Sequence, residues 1–197
     1  MSLSSQEIIA GMDEAGRGAW AGPVVAAAVI LPKGVQLEGL NDSKMLTAKV
    51  RESLFKGITK KCDYGVGTAS HREVDKFGLL HATFLAYERA IKQLKTRPDH
   101  LLVDGRDKFS FEMPHTSIIG GDKKIRAISA ASIVAKVSRD RLMKEYARKY
   151  PQYGFDAHKG YGTKRHQVAL SAHGASGLHR QSYQPIKALK CVQKAFL

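Results

Sequence analysis

Five short runs that read as strands alternate with longer stretches of helical period, and this interleaving most limits the fold. The runs are Ile8–Met12, Pro23–Leu31, Tyr64–Ala69, His100–Val103 and Thr116–Ile119. Pro23–Leu31 is rich in Val and Ala and is closed by Pro32, as expected of a strand buried on both faces. With Ile8–Met12 before it and a Gly-rich loop between, it predicts a hairpin that opens a sheet. Helical period appears in Val50, Leu54 and Ile58 behind a capping Thr47. It appears again from Leu80 through Phe84, Tyr87, Ile91 and Leu94, stopping before Pro98. A third stretch, Ile125 to about Lys149, carries Ile128, Ile133, Val137, Leu142 and Tyr146, and Pro151 ends it. Ser70 and Glu73 have capping-box spacing, Thr163 can cap a helix through Leu170 closed by Gly174, and a last helix is expected from Pro185 onward. Strands early, helices between them and helices alone at the end predict an α/β domain with a mixed sheet.

Composition sets the class. Hydrophobic residues are 43% and charged residues 25% of 197, the balance of a globular chain able to bury a core. The longest purely apolar run, Val24–Leu31, is too short to span a bilayer. No basic-then-apolar leader opens the chain, so a cytoplasmic protein without membrane attachment is expected. Cys62 and Cys191 lie far apart, outside any metal-ligand spacing, and read as reduced thiols.

The net charge of +14 is unevenly placed. Residues 1–122 hold 16 basic and 15 acidic side chains; residues 123–197 hold 16 basic and 3 acidic. A basic third on a neutral body suits a polyanion. The broad contributors are Lys123, Lys124, Arg126, Lys159, Lys164, Arg165 and Arg180, and His158, His166 and His173 are read as solvated or phosphate-contacting. The expected organisation is one catalytic domain over 1–197, with 150–197 a basic helical extension that helps bind substrate.

Three acidic sites close predicted strands: Asp13-Glu14, Asp104 and Asp122. Strand ends in an open α/β sheet converge on one crevice. Carboxylates gathered there repel one another unless cations sit between them. Hard divalent ions accept all-oxygen ligands, and two ions about 4 Å apart can activate a water and stabilise the leaving oxygen of a phosphodiester. The acids and the basic segment together predict a metal-dependent nuclease. Asp107, in a polar loop, is given no role.

The motif Gly11-Met12-Asp13-Glu14-Ala15-Gly16-Arg17-Gly18 resembles the opening motif of the bacterial type 2 ribonucleases H, the ribonuclease HII family. The resemblance continues, in family order, through Leu40-Asn41-Asp42-Ser43-Lys44, Val103-Asp104-Gly105, Gly121-Asp122 and the Ile128–Lys136 block. It closes with Tyr153-Gly154-Phe155, His158-Lys159-Gly160-Tyr161 and His173-Gly174-Ala175. It implies a ribonuclease H-like fold: a five-stranded mixed sheet flanked by helices, with a helical C-terminal segment. The implied activity is endonucleolytic cleavage of the RNA strand of RNA–DNA hybrids, and cleavage at single ribonucleotides embedded in duplex DNA. The implied products are 3′-hydroxyl and 5′-phosphate ends.

Residue by residue, the resemblance makes Asp13, Glu14, Asp104 and Asp122 the catalytic and metal-binding acids, holding two Mg²⁺ or Mn²⁺ ions. Asp122, after two glycines, is expected to move as substrate arrives. Gly16, Arg17 and Gly18 would read the 2′-hydroxyl, because glycine lets backbone polar groups approach a sugar closely. Tyr161 would pack on the sugar of the next deoxynucleotide. Ser43, Lys44 and Lys136 would meet phosphates, while Ser129, on the same helix face as Ser132 and Lys136, is read as packing. A non-catalytic hybrid binder would have no reason to keep four charges that repel phosphate. The sister family, ribonuclease HIII, carries an extra N-terminal domain for which the twelve residues before Asp13 give no room, so HII is the expectation. A monomer is expected, and the tail Gln193–Leu197 loosely resembles a sliding-clamp-binding segment.

Overall fold

A computed structural model describes residues 7–40 and 46–195, with side chains through residue 189. The motif residues Ser43 and Lys44, and the side chains of the C-terminal tail, lie outside the described residues. Strands β1 (Ile9–Ala15) and β2 (Val24–Ile30) form the expected hairpin. Helix α1 (Ala48–Lys61) follows, then β3 (Asp63–Ala69), α2 (His71–Phe77), α3 (Leu79–Ile91), β4 (His100–Asp104) and β5 (His115–Ile118). The chain continues through a one-turn α4 (Gly121–Lys124), the long α5 (Arg126–Lys149) and a 3₁₀ turn at Pro151–Tyr153. It ends with α6 (Phe155–His158), α7 (Lys164–His173) and α8 (Gln184–Ala195).

The caps legible in the sequence are made. Thr47 accepts from the Val50 amide, Ser70 and Glu73 close a capping box, and Thr163 accepts from the His166 amide. Each satisfies amides that a helix start would otherwise leave unpaired.

The sheet is five-stranded in the order β3-β2-β1-β4-β5. β3, β2 and β1 pair antiparallel; β1–β4 and β4–β5 pair parallel. The mixed sheet is therefore ribonuclease H-like, with β1 at its centre. Side chains alternate across it. One face presents Ala10, Met12, Val24, Ala26 and Ala28 to Ala82, Ala86, Tyr87 and Ala90 of α3. The other presents Ala15, Ala27 and Val29 to Leu54 and Ile58 of α1 and to Ala130, Ile133 and Val134 of α5. Small residues let helices lie close. A Cβ on Gly11 would fall 2.2 Å from the Ala127 carbonyl carbon, so α5 rests directly on β1. A third cluster, Met143, Tyr153, Phe155, Leu170, Leu178 and Ile186, ties the C-terminal helices to the far end of α5. No described helix is long and apolar enough to cross a membrane.

Candidate active site

Asp13 and Glu14 lie within β1, opposite Ala27 and Ala26, rather than just beyond its end. Successive strand residues face opposite ways, so the two acids part company. Asp13 points toward α5, 5% exposed, and accepts a hydrogen bond from Ser132. Glu14 points toward α3, where the buried Tyr87 hydroxyl donates to it and Arg17 lies 3.4 Å away. Asp104 ends β4, the parallel neighbour of β1, and so lies beside Asp13. Asp122 sits in α4, which follows the outer parallel strand.

Oxygens of Asp13, Asp104 and Asp122 all fall within 4.8 Å of one another. Glu14 is not among the three. Asp122 is 2% exposed in this arrangement. The Gly121 amide donates to Asp104 Oδ1 at 2.7 Å and the Asp122 amide approaches the same oxygen at 3.4 Å. The buried Ser129 hydroxyl donates to the Asp122 carbonyl. The glycines supply the αL turn at Gly120 and room beside Ile128 at Gly121.

Electrostatics match this crowding. Burial, with the neighbouring Glu14 and Asp104 carboxylates, pushes the Asp13 carboxyl well above its usual range. Burial also raises Glu14, against the lowering effect of Tyr87 and Arg17. Tyr87 is pushed up by its own burial and by the acids it faces. Three converging carboxyl groups with all-oxygen donors suit a hard divalent cation, which would remove the repulsion that now raises Asp13.

A cleft of about 290 Å³ opens beside the acids. Asp13, Glu14, Gly16, Arg17, Gly18, Asp104, Ser132, Lys136 and Tyr161 line it. Residues from β1, β4, α5 and the segment after α6 are thus brought to one place. Lys136 reaches Asp140 at 2.7 Å on its own helix. Arg17 is held at 2.6 Å by Asp107, the loop acid given no role from sequence. A second groove, holding Arg51, Arg141, Lys144 and Lys159, continues from Lys136 past Asp140 and Glu52.

Several readings change in three dimensions. Arg180 is not part of the solvated positive surface: it is fully buried, bonded to the carbonyls of Gly16, Arg17 and Gly22. Arg139, which the sequence did not single out, is buried beneath the same loop. Its position offered a signal, since it continues the buried stripe of Ser132, Ala135 and Met143 at steps of three and four. Tyr87 reads in sequence as one more core residue of α3, and only its hydroxyl reveals its role. His158 and His166 are buried rather than solvated, while His173 is exposed. His166 stacks on His158 at 4.4 Å between ring centres and meets His179 Nε2 at 3.0 Å.

Buried carboxyl groups that converge on the central parallel strands of a ribonuclease H-like sheet, beside a cationic cleft, define a metal-dependent nuclease. Comparisons with known proteins narrow the class. The chain matches the ribonuclease HII family over residues 10–186. It is 51% identical to the ribonuclease HII of Endomicrobium trichonymphae over 90% of this chain and 86% of that one. It is 52% identical to that of Desulfitobacterium hafniense over 91% and 69%. Among solved structures, ribonuclease H2 from Pyrococcus horikoshii superposes with a TM-score of 0.77 at 25% identity, covering 94% of this chain and 98% of that one. The PCNA:RNase HII complex from Archaeoglobus fulgidus gives a TM-score of 0.77 at 26% identity, over 90% and 95%. The chain belongs to the ribonuclease HII family. It is an endoribonuclease of RNA–DNA hybrids that depends on divalent metal.

Proposed function

We propose that this enzyme cuts on the 5′ side of single ribonucleotides embedded in duplex DNA, as well as along the RNA strand of hybrids, with two divalent ions and with 3′-hydroxyl and 5′-phosphate products. The observation that carries the reading is the meeting of the carboxyl cluster, the Gly16–Gly18 loop and Tyr161 in one cleft. A phosphate reaching the acids would have its ribose against the loop and the following sugar against the tyrosine.

Asp13, Asp104 and Asp122 would hold the ions, with Glu14 completing the set from the edge of the cleft. When bound, Mg²⁺ or Mn²⁺ would supply the positive charge that offsets the acids and the scissile phosphate and would activate the attacking water. The protein's own groups do the rest. Ser132 and the Gly121 amide fix the Asp13 and Asp104 carboxyl groups, so their geometry is set before substrate arrives. Lys136 exchanges its Asp140 partner for a phosphate, and Arg17 does the same with Asp107. Gly18, with nothing within 4 Å of where a Cβ would stand, leaves the loop amides open to a 2′-hydroxyl, while Gly16 makes room for Arg139 beneath. The Tyr161 ring, over the Arg139 guanidinium at 5.3 Å, offers a flat face that accepts a deoxyribose and crowds a 2′-hydroxyl. Residues 150–197, which carry Tyr161, serve as the substrate-binding extension. The Archaeoglobus fulgidus relative is solved as a complex with PCNA, which supports a clamp contact for the tail Gln193–Leu197 here; binding that survives deletion of those residues would dismiss it.

The direct test is product mapping on a DNA duplex with one ribonucleotide, with Mg²⁺, with Mn²⁺ and with chelator. A single nick on the 5′ side of the ribonucleotide, lost with chelator, is expected. Cleavage of continuous hybrid alone would overturn the embedded-ribonucleotide reading.

A further inference from the structure

Arg180 and Arg139 are both fully buried, and among the described residues no carboxylate lies at ion-pair distance from either. Burial of unpaired cations is costly, and apolar side chains of similar volume usually serve stability better. Their reason lies in what they bond. Arg180 donates to the carbonyls of Gly16 (2.7 Å), Arg17 (2.7 Å) and Gly22 (3.1 Å). Arg139 donates to those of Pro23 (3.0 Å), Ala21 (3.2 Å) and Lys159 (2.9 Å). Tyr183 adds a hydroxyl bond to the Arg17 carbonyl at 2.5 Å and receives one from Arg180 at 2.7 Å.

A trans peptide sends its N–H opposite to its C=O. Drawing the Gly16 and Arg17 carbonyls down onto Arg180 therefore turns the Arg17 and Gly18 amides up, away from the guanidinium. Among the described residues neither amide has an internal acceptor. Arg139 supports the same loop from below, so closely that a Cβ on Gly16 would lie 1.9 Å from its Nε. Through the Lys159 carbonyl and the Tyr161 ring it also ties the tyrosine segment to that support. The loop and the tyrosine are thus held by adjoining cations.

We propose that Arg180, with Tyr183, is a specificity-determining positioning residue: it sets the two peptide planes of Gly16–Arg17–Gly18 so that their amides address a ribose oxygen, and Arg139 fixes Tyr161 relative to them. The inference rests on the reading of that loop as the ribose-contacting element. It assigns the discrimination between ribo- and deoxyribonucleotide to side chains beneath the loop, the buried Arg180 and the half-buried Tyr183, that touch neither substrate nor metal.

The test uses the full chain with Arg180→Lys and Tyr183→Phe. Lysine keeps the charge but cannot reach three carbonyls in a fork; phenylalanine removes only the hydroxyl that braces Arg17. Two otherwise identical duplexes, one with a single ribonucleotide and one all-DNA, are titrated with Ca²⁺ in place of Mg²⁺, and their affinity ratio is read. Mn²⁺ affinity is measured by calorimetry, and the lone Trp20, whose amide bonds to Gly160, reports loop integrity by fluorescence. Arg180→Lys is expected to shrink the ratio roughly tenfold and Tyr183→Phe about threefold. All-DNA affinity and Mn²⁺ affinity should stay at the wild-type level. On cleavage, KM for the ribonucleotide duplex should rise more than kcat falls. Should Arg180→Lys not fold, Tyr183→Phe decides alone. A wild-type ratio in the folded variants, or a parallel loss of Mn²⁺ affinity, overturns the proposal. A wild-type enzyme that does not prefer the ribonucleotide duplex overturns the loop reading instead.

Discussion

Acid should loosen this protein through two rings that never touch solvent. The Ser176 amide donates to His179 Nδ1 at 2.9 Å, so the His179 proton sits on Nε2. That proton is donated to His166 Nε2, which leaves His166 Nδ1–H for the Tyr161 carbonyl at 3.0 Å. A second proton on either ring would set two donors face to face. Burial holds each at about 4, against an ordinary value of 6.5; the stacked His158 further lowers His166, and His166 further lowers His179.

The sign follows from the unfolded chain, whose histidines take up protons below 6.5 while the folded ones do not. Stability is complete above 6.5 and is lost as pH falls toward 4, by about 1.4 kcal/mol per pH unit and per ring. At pH 5 each ring accounts for a loss of about 2 kcal/mol. Asp13 and Glu14 act in the other direction, because their raised values mean that acid relieves repulsion. The clean quantity is therefore a difference between proteins. Urea unfolding of wild type and His166→Gln at pH 7.5 and pH 5 should show a pH-dependent loss smaller by about 2 kcal/mol in the variant. Equal losses in the two proteins would refute the buried, neutral pair.

Asp104→Asn should abolish cleavage while hybrid binding persists by anisotropy, since the amide oxygen can still accept from Gly121. The same variant should unfold at higher temperature than wild type in chelator, having lost one charge from a repelling group. Gly11→Ala forces a methyl into the Ala127 backbone and should cost about 1–3 kcal/mol in denaturant unfolding, by lifting α5 from β1. Lys136→Gln should weaken binding to hybrid and to all-DNA duplex alike and flatten the dependence of log affinity on log salt by about one unit; an unchanged slope would remove Lys136 from the phosphate path.

The elements of the fold were legible where the signal is short-range. Thr47, Ser70 with Glu73, and Thr163 cap their own helices within three residues, and the Val/Ala run of β2 announces a strand buried on both faces. The acids were legible as a set because their order along the chain is the family's order. That Asp13 and Glu14 diverge follows from strand alternation once β1 is known to run on to Ala15.

The buried polar framework was not legible. Arg180 reads in sequence as surface charge, because an arginine belongs in water unless all of its donors are met. The carbonyls that meet them belong to Gly16, Arg17 and Gly22, some 160 residues earlier. His166 and His179 face the same limit, each held neutral by a burial that folding alone provides and paired with the other. Sequence alone offered the candidate residues for the chemistry, since residue type sets what a group can bind or donate. The choice of which charges leave water belonged to the tertiary structure, because desolvation is offset only by partners that folding brings from distant parts of the chain.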